Sequence, residues 1–144
     1  MIKVLFVCVH NSARSQIAEA LLQKYGGKDF KVESAGLEPG ELNPLAIEVM
    51  KDEELDISGN KTKSVFDFFQ QGRIYNFVIT VCDESQKERC PIFPGRVTRL
   101  HWSFQDPAVI EGTQEEKLAA AKRIKDKIKA KIKEFIAETK SYYI

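Results

Sequence analysis

Cys8 and Arg14 enclose Val9, His10, Asn11, Ser12 and Ala13, and Ser15 follows directly. A thiol is a strong nucleophile only once ionised, and a helix N-terminus and a nearby guanidinium both favour the thiolate. Arg14 also offers a planar fork of donors that matches two oxygens of phosphate, arsenate or sulfate, which a lysine would meet only as a point charge. With a strand before Cys8 and a helix opening at Arg14, the backbone N–H groups of Val9, His10, Asn11, Ser12, Ala13, Arg14 and Ser15 would turn inward and cradle a tetrahedral oxyanion above the sulfur. Ser12 and Ser15 can donate hydroxyl hydrogen bonds to the sulfur or the loop, and Asn11 can bond the backbone to keep the loop curled. The plainer alternative is a buried cysteine that ends a core strand. Strand, polar loop and helix in the required order favour the anion site.

Two further cysteines, Cys82 and Cys90, are separated by seven residues. That interval is too long for a Cys-x-x-Cys pair, and the partner pairs of a zinc site are missing. Three cysteines cannot all pair in one static framework, and in a cytosolic protein such a set is more often catalytic or redox-active. Taken alone, the two are equally well read as one core cysteine and one incidental surface thiol. Beside an activated Cys8 they suggest a relay. An adduct on Cys8 would be attacked by Cys82, and Cys90, carried on the polar segment Asp83 to Arg89, would attack the resulting disulfide. Oxidising equivalents would pass from a buried pocket to the surface. Asp106, directly before Pro107, is the candidate proton donor for a leaving oxygen, against the ordinary reading of an Asp-Pro turn. His10 is expected to point outward, and His101 beside Trp102 to be structural.

The elements that must position these groups follow from apolar pattern and punctuation. Ile2 to Val7 reads as a fully buried parallel strand. A helix from Arg14 to Tyr25 carries Ile17, Ala18, Leu21 and Leu22 on one face and stops at Gly26-Gly27. Phe30 to Ala35 alternates as a second strand ending at Gly36. Asn43 caps a helix with Pro44 at its first position and a face of Leu45, Ile47, Val49 and Met50. A short helix from Ser64 to Gln71 closes at Gly72. Tyr75 to Val81 is a third buried strand and delivers Cys82; Val97 to Trp102 is a fourth, partly exposed. A long helix opens near Thr113, where Thr113 and Glu116 suit a capping box, and its stripe is Leu118, Ala121, Ile124, Ile128, Ile132 and Phe135. This order predicts an α/β fold of three layers, a four-stranded parallel sheet with helices on both faces. Strands 1 and 3, both ending in cysteine, would be neighbours whose carboxyl ends share one crevice, where open α/β sheets bind ligands.

The 144 residues suit a single domain spanning 1–144 with one substantial core. With 43% hydrophobic residues, 30% charged and a formal net charge of +1, nothing points to nucleic acid or membrane as a partner. No apolar run approaches a membrane span and the start does not read as a signal peptide, so a cytoplasmic location is expected. The lysine-rich run from Lys122 to Lys133 reads as a solvated helix face.

Three motifs, Cys8-Val9-His10-Asn11-Ser12-Ala13-Arg14-Ser15-Gln16-Ile17-Ala18-Glu19, then Cys82 with Cys90-Pro91, then His101-Trp102-Ser103-Phe104-Gln105-Asp106-Pro107, occur in this order. In them the chain resembles the thioredoxin-coupled arsenate reductases, which share their fold and anion loop with low-molecular-weight protein tyrosine phosphatases. The resemblance implies that arsenate binds in the loop, Cys8 attacks arsenic, Arg14 clamps the oxygens and Asp106 protonates the departing oxygen. Cys82 then displaces arsenite, Cys90 takes over the disulfide, and thioredoxin or a similar dithiol resets a monomeric enzyme. It also implies that the chemistry needs no metal. In some members a potassium ion sits among residues matching Asn11, Glu19, Ser34 and Thr62. Ala13 stands where many relatives carry a cysteine or a larger residue, and the Cys82–Cys90 interval is one residue longer than in familiar members, an excess a loop can absorb.

Two rivals remain. A phosphatase would use the same loop to form a cysteinyl-phosphate that water hydrolyses, with Asp106 as acid and then base. Phosphotyrosine enzymes of this fold usually place an aromatic after the Asp-Pro pair, where this chain has Ala108, and the two extra cysteines favour the reductase. A non-catalytic oxyanion-binding module is disfavoured by the intact Cys8, Arg14 and Asp106.

Overall fold

Strand β1, Ile2–Cys8, is buried at every position except Lys3 and forms the centre of the molecule. The computed structural model describes residues 1–143, the side chains at positions 84, 85, 87 and 143 excepted. β1 pairs in parallel with β2, Phe30–Gly36, on one side and with β3, Phe77–Thr80, on the other, and β4, Thr98–His101, completes the order β2-β1-β3-β4. The expected four-stranded parallel sheet is therefore present, with the two cysteine-ending strands side by side.

Alternation along β1 divides the core. Val4, Phe6 and Cys8 pack with Ile17, Leu21 and Leu22 of α1, Arg14–Gly26, with Val49 and Met50 of α2, Pro44–Lys51, and with Ile128 and Ile132 of α4, Gln114–Tyr143. Leu5 and Val7 face the other way, onto Val65 and Phe68 of the short α3, Val65–Gln70, and onto Tyr75 and Phe93. Helices thus lie on both faces. A strand buried on both sides has no polar face, which is why β1 reads as an unbroken apolar run.

Local signals fix the helix starts. Asn43 Oδ1 accepts the Leu45 N–H at 2.9 Å with Pro44 at the first position. Ser64 Oγ accepts from Phe66 N at 3.2 Å, and Thr113 Oγ1 accepts from Glu116 N at 3.2 Å. Each cap satisfies a donor that the helix itself cannot.

Three expectations need correction. The ladder of β3 begins at Phe77, because Tyr75 leaves the strand path to meet the Phe93 ring edge-on at 5.3 Å. On α2 the buried positions are Leu45, Ala46, Val49 and Met50; Ile47 is only half-buried. The lysine run is not wholly solvated: Lys125 is 5% exposed and pairs with the equally buried Glu53 at 2.8 Å. Glu53 also accepts from Tyr25 Oη at 2.6 Å and pairs with Lys129 at 3.0 Å, so one carboxylate joins α1, the end of α2 and α4. Burial opposes its ionisation, but hydrogen bonds from Lys125, Tyr25 and Lys129 prevail and hold it down to about 2.

Candidate active site

The carboxyl end of β1 delivers Cys8, 2% exposed, opposite Gly36 in the β2 register. The chain then turns back through Asn11, whose φ of +55° lies in the left-handed region that asparagine tolerates better than most residues. This turn brings the Asn11 N–H to 3.2 Å from Cys8 Sγ, and Ser15 Oγ lies 2.9 Å from the same sulfur. Both groups are placed to donate to a thiolate.

Asn11 is completely buried and uses its whole amide. Nδ2 donates to Ser15 Oγ at 2.7 Å and to Ser34 Oγ at 3.0 Å, while Oδ1 accepts from Gln16 Nε2 at 3.1 Å and from Lys63 N at 3.0 Å. Since Ser15 Oγ accepts from Asn11, its own hydrogen is left for the sulfur. The loop is held curled, as expected, but through the backbone of Lys63 rather than its own.

Gly36 decides how closely the loop can lie against β2. A Cβ there would stand 2.8 Å from Val9 O, His10 C and Asn11 N, all backbone atoms. Only glycine permits that approach.

Arg14, 3% exposed, opens α1 with its guanidinium over the loop. Nη1 donates to Phe104 O at 3.2 Å and lies 3.6 Å from Asp83 Oδ1; Nη2 lies 3.5 Å from Asp106 Oδ2. Asp106 closes a turn and also faces the guanidinium. Its Oδ1 caps the turn by accepting from Ala108 N at 2.9 Å, and its other oxygen faces Arg14. Val9, His10, Arg14, Asp83 and Asp106 line an open cavity of about 340 Å³ that Glu38 and Arg89, paired at 2.7 Å, border as well. Its wall is polar, with the Arg14 and Arg89 guanidiniums facing the carboxylates of Glu38, Asp83 and Asp106.

Cys82, completely buried, shares a core cluster with Cys8. Burial raises its thiol, Arg14 offsets part of that, and the nearby Cys8 and Asp83 raise it further. Cys90 follows a 3₁₀ segment, Glu84–Arg89, and is only 4% exposed. It packs in the second cluster, with Val78 and Phe93, so it is neither a surface thiol nor in the compartment of Cys8. Burial pushes it up to about 11, against a small opposing effect of Arg99. A second open cavity, about 480 Å³, lies beside it with Ile92 and Arg99 in its wall.

The remaining predicted residues fall as follows. Val9, His10, Ser12 and Ala13 form the loop backbone, and His10 is exposed with Nδ1 at 2.8 Å from Glu38 O. His101 bridges Thr80 Oγ1 at 2.7 Å and Ser103 Oγ at 3.1 Å, a structural role as expected. Asn11, Glu19 and Ser34 meet, Ser34 Oγ donating to Glu19 Oε1. Thr62 does not join them; its Oγ1 donates to Gly40 O at 2.5 Å.

Sequence reasoning missed Gln16 and Lys63. Gln16 is completely buried and bonds Asn11, Lys61 O at 3.1 Å and Asn60 Nδ2 at 3.0 Å. A glutamine directly before the apolar face of α1 was the available signal. Lys63 left none.

A family model described as low molecular weight phosphotyrosine protein phosphatase matches residues 3–142. The chain belongs to that family. Among relatives of this family member, an arsenate reductase of Bacillus subtilis is 43% identical over 139 residues, 94% of this chain and 95% of the relative. A solved arsenate reductase in a phosphate-binding state superposes with a TM-score of 0.77 at 28% identity, covering 96% of this chain and 98% of that one. A thioredoxin-dependent arsenate reductase of Corynebacterium glutamicum gives 0.70 at 30% identity over 96% of this chain and 60% of that one.

Proposed function

We propose that this member of the phosphatase family is an arsenate reductase that works through a Cys8–Cys82–Cys90 relay and is reset by thioredoxin or a similar dithiol. The observation that carries the reading is that Cys82 lies buried near enough to Cys8 and Arg14 for both to act on its thiol. In a hydrolase the nucleophile needs no thiol neighbour.

The thiolate of Cys8 attacks arsenic, with Arg14 and the loop N–H groups binding the oxygens. One As–O bond breaks and Asp106 protonates the leaving oxygen, which departs as water. Cys82, passing its proton to an arsenic-bound oxygen, next attacks Cys8 Sγ. An S–S bond forms, the S–As bond breaks, and its electron pair stays on arsenic, now reduced by two electrons to arsenite. Cys90 then attacks Cys82 Sγ, releasing Cys8 as thiolate, and an external dithiol reduces the Cys82–Cys90 disulfide. Cys90 and Cys82 pack in different clusters but lie near enough for Cys82 to act on the Cys90 thiol, so the last internal step asks the two side chains to turn toward each other. All steps use protein groups, arsenate and dithiol, and the cytoplasm is the compartment that would keep the cysteines reduced. Among the described residues no helix is long and apolar enough to cross a membrane.

The test is arsenate-dependent NADPH oxidation with thioredoxin and its reductase. Cys8→Ser, Cys82→Ser and Cys90→Ser should each abolish multiple turnover. Hydrolysis of p-nitrophenyl phosphate should survive loss of Cys82 or Cys90 but not of Cys8. Normal arsenate turnover without Cys82 and Cys90 would refute the relay and leave the phosphatase reading, whose family description the chain shares.

A further inference from the structure

The residues that would surround potassium by resemblance do not form a matching set here, since Thr62 is bonded to Gly40 instead. The neighbouring side chain takes the position. Lys63 Nζ lies 3.5 Å from Glu19 Oε1 and 3.4 Å from Ser34 Oγ. We propose that the Lys63 ammonium is a built-in monovalent cation beside Glu19 and Ser34, in the corner where the resemblance would place potassium, so that this protein has no requirement for a monovalent metal ion.

Three features support the assignment. The lysine backbone is fixed on both sides, its N–H donating to Asn11 Oδ1 at 3.0 Å and its carbonyl accepting from Gly36 N at 2.8 Å. That anchoring aims the stem at Glu19 and holds the ammonium permanently at high local concentration, as a free ion is not. Glu19 is a carboxylate only 25% exposed, and Lys63 is its one ion-pair partner among the described residues. A cation entering the same corner would be repelled by the ammonium at close range. From this corner hydrogen bonds run through Ser34, Asn11 and Ser15 to Cys8 Sγ, so the cation steadies the groups that position the sulfur. Lys63 is a positioning residue and touches no reacting atom.

This inference does not depend on the reductase reading, because its measurements are ion binding and folding. Thermal unfolding of the wild type in potassium chloride and in tetramethylammonium chloride at equal ionic strength should give the same midpoint, and thallium-205 NMR should detect no bound thallium(I). Lys63→Ala should unfold several degrees lower in tetramethylammonium chloride than in potassium chloride and should bind thallium(I). Lys63→Gln, closer in size, should follow the same pattern if the alanine variant does not fold. Adding Glu19→Gln should remove the new ion dependence. Specific stabilisation of the wild type by potassium, or indifference of both Lys63 variants to the cation, would overturn the proposal. So would ion dependence that persists without the Glu19 charge.

Discussion

Replacing Gly36 by alanine is the sharpest test of how the anion loop is built. The new Cβ would meet three backbone atoms at 2.8 Å, where ordinary contact begins at 3.4 Å. No side chain can rotate away, so the loop or the end of β2 must shift by about 0.6 Å, the difference between those distances. Overpacking of this kind costs about 1–3 kcal/mol. For a chain of this length that lowers the unfolding midpoint by roughly 2–12 °C. The catalytic cost is separable, since misplacing reacting groups by about 1 Å costs on the order of 100-fold. A shift of little more than half that distance should lower kcat/KM for arsenate by about tenfold or more. It should weaken binding of phosphate or sulfate, read as a smaller rise in melting midpoint with anion. Gly59→Ala is the control, because a Cβ there meets nothing within 4 Å, and it should be neutral or slightly stabilising. If Gly36→Ala keeps both wild-type turnover and wild-type anion affinity, the loop does not rest on Gly36 as described.

Other outcomes follow from charge and capping. Glu53 has a carboxyl depressed from 4.5 to about 2 in the folded state, so its stabilisation is complete above 4.5 and disappears as pH falls toward 2, and acid titration of circular dichroism should show it. Glu53→Gln should shrink that acid-dependent loss. Cys90 runs the other way: its thiol is raised from 9.0 to about 11, so its stabilising contribution is intact below 9 and lost as pH climbs toward 11. At neutral pH in the reduced protein, mass spectrometry should find iodoacetamide labelling Cys90 much more slowly than after denaturation. Asn43→Ala removes the cap on the Leu45 N–H and should cost about 1 kcal/mol by urea unfolding, with arsenate turnover unchanged.

The part of the site built from neighbours in sequence was legible. An unbroken apolar strand, a polar loop and a helix announce the Cys8–Arg14 cradle, and Asn43-Pro44 announces α2. The expected pairing of β1 with β3 held because two strands buried on both faces have few other places in a four-stranded sheet. What could not be read depends on partners far along the chain. Lys125 is buried because Glu53 lies across from it, 72 residues away, and pattern alone assigns any lysine to solvent. Lys63 and Gln16 reach Asn11 across 52 and 5 residues, and only the folded path of the 60–63 segment makes them part of the site. Cys90 was expected near the surface because its neighbours are charged. Its own side chain turns inward against Phe93 and Val78 instead.

The inward packing of Cys90 bears on which way electrons flow. A couple whose dithiol form is stabilised by its surroundings is the more oxidising one, and here the dithiol form has Cys90 packed against an apolar cluster. A Cys82–Cys90 disulfide that drew that side chain out of the cluster would forfeit its burial. Returning the cysteine to its apolar seat would then add to the driving force for reduction. The reductant would then receive from the fold a downhill final step, with the energy for it stored in apolar contacts such as those with Val78 and Phe93.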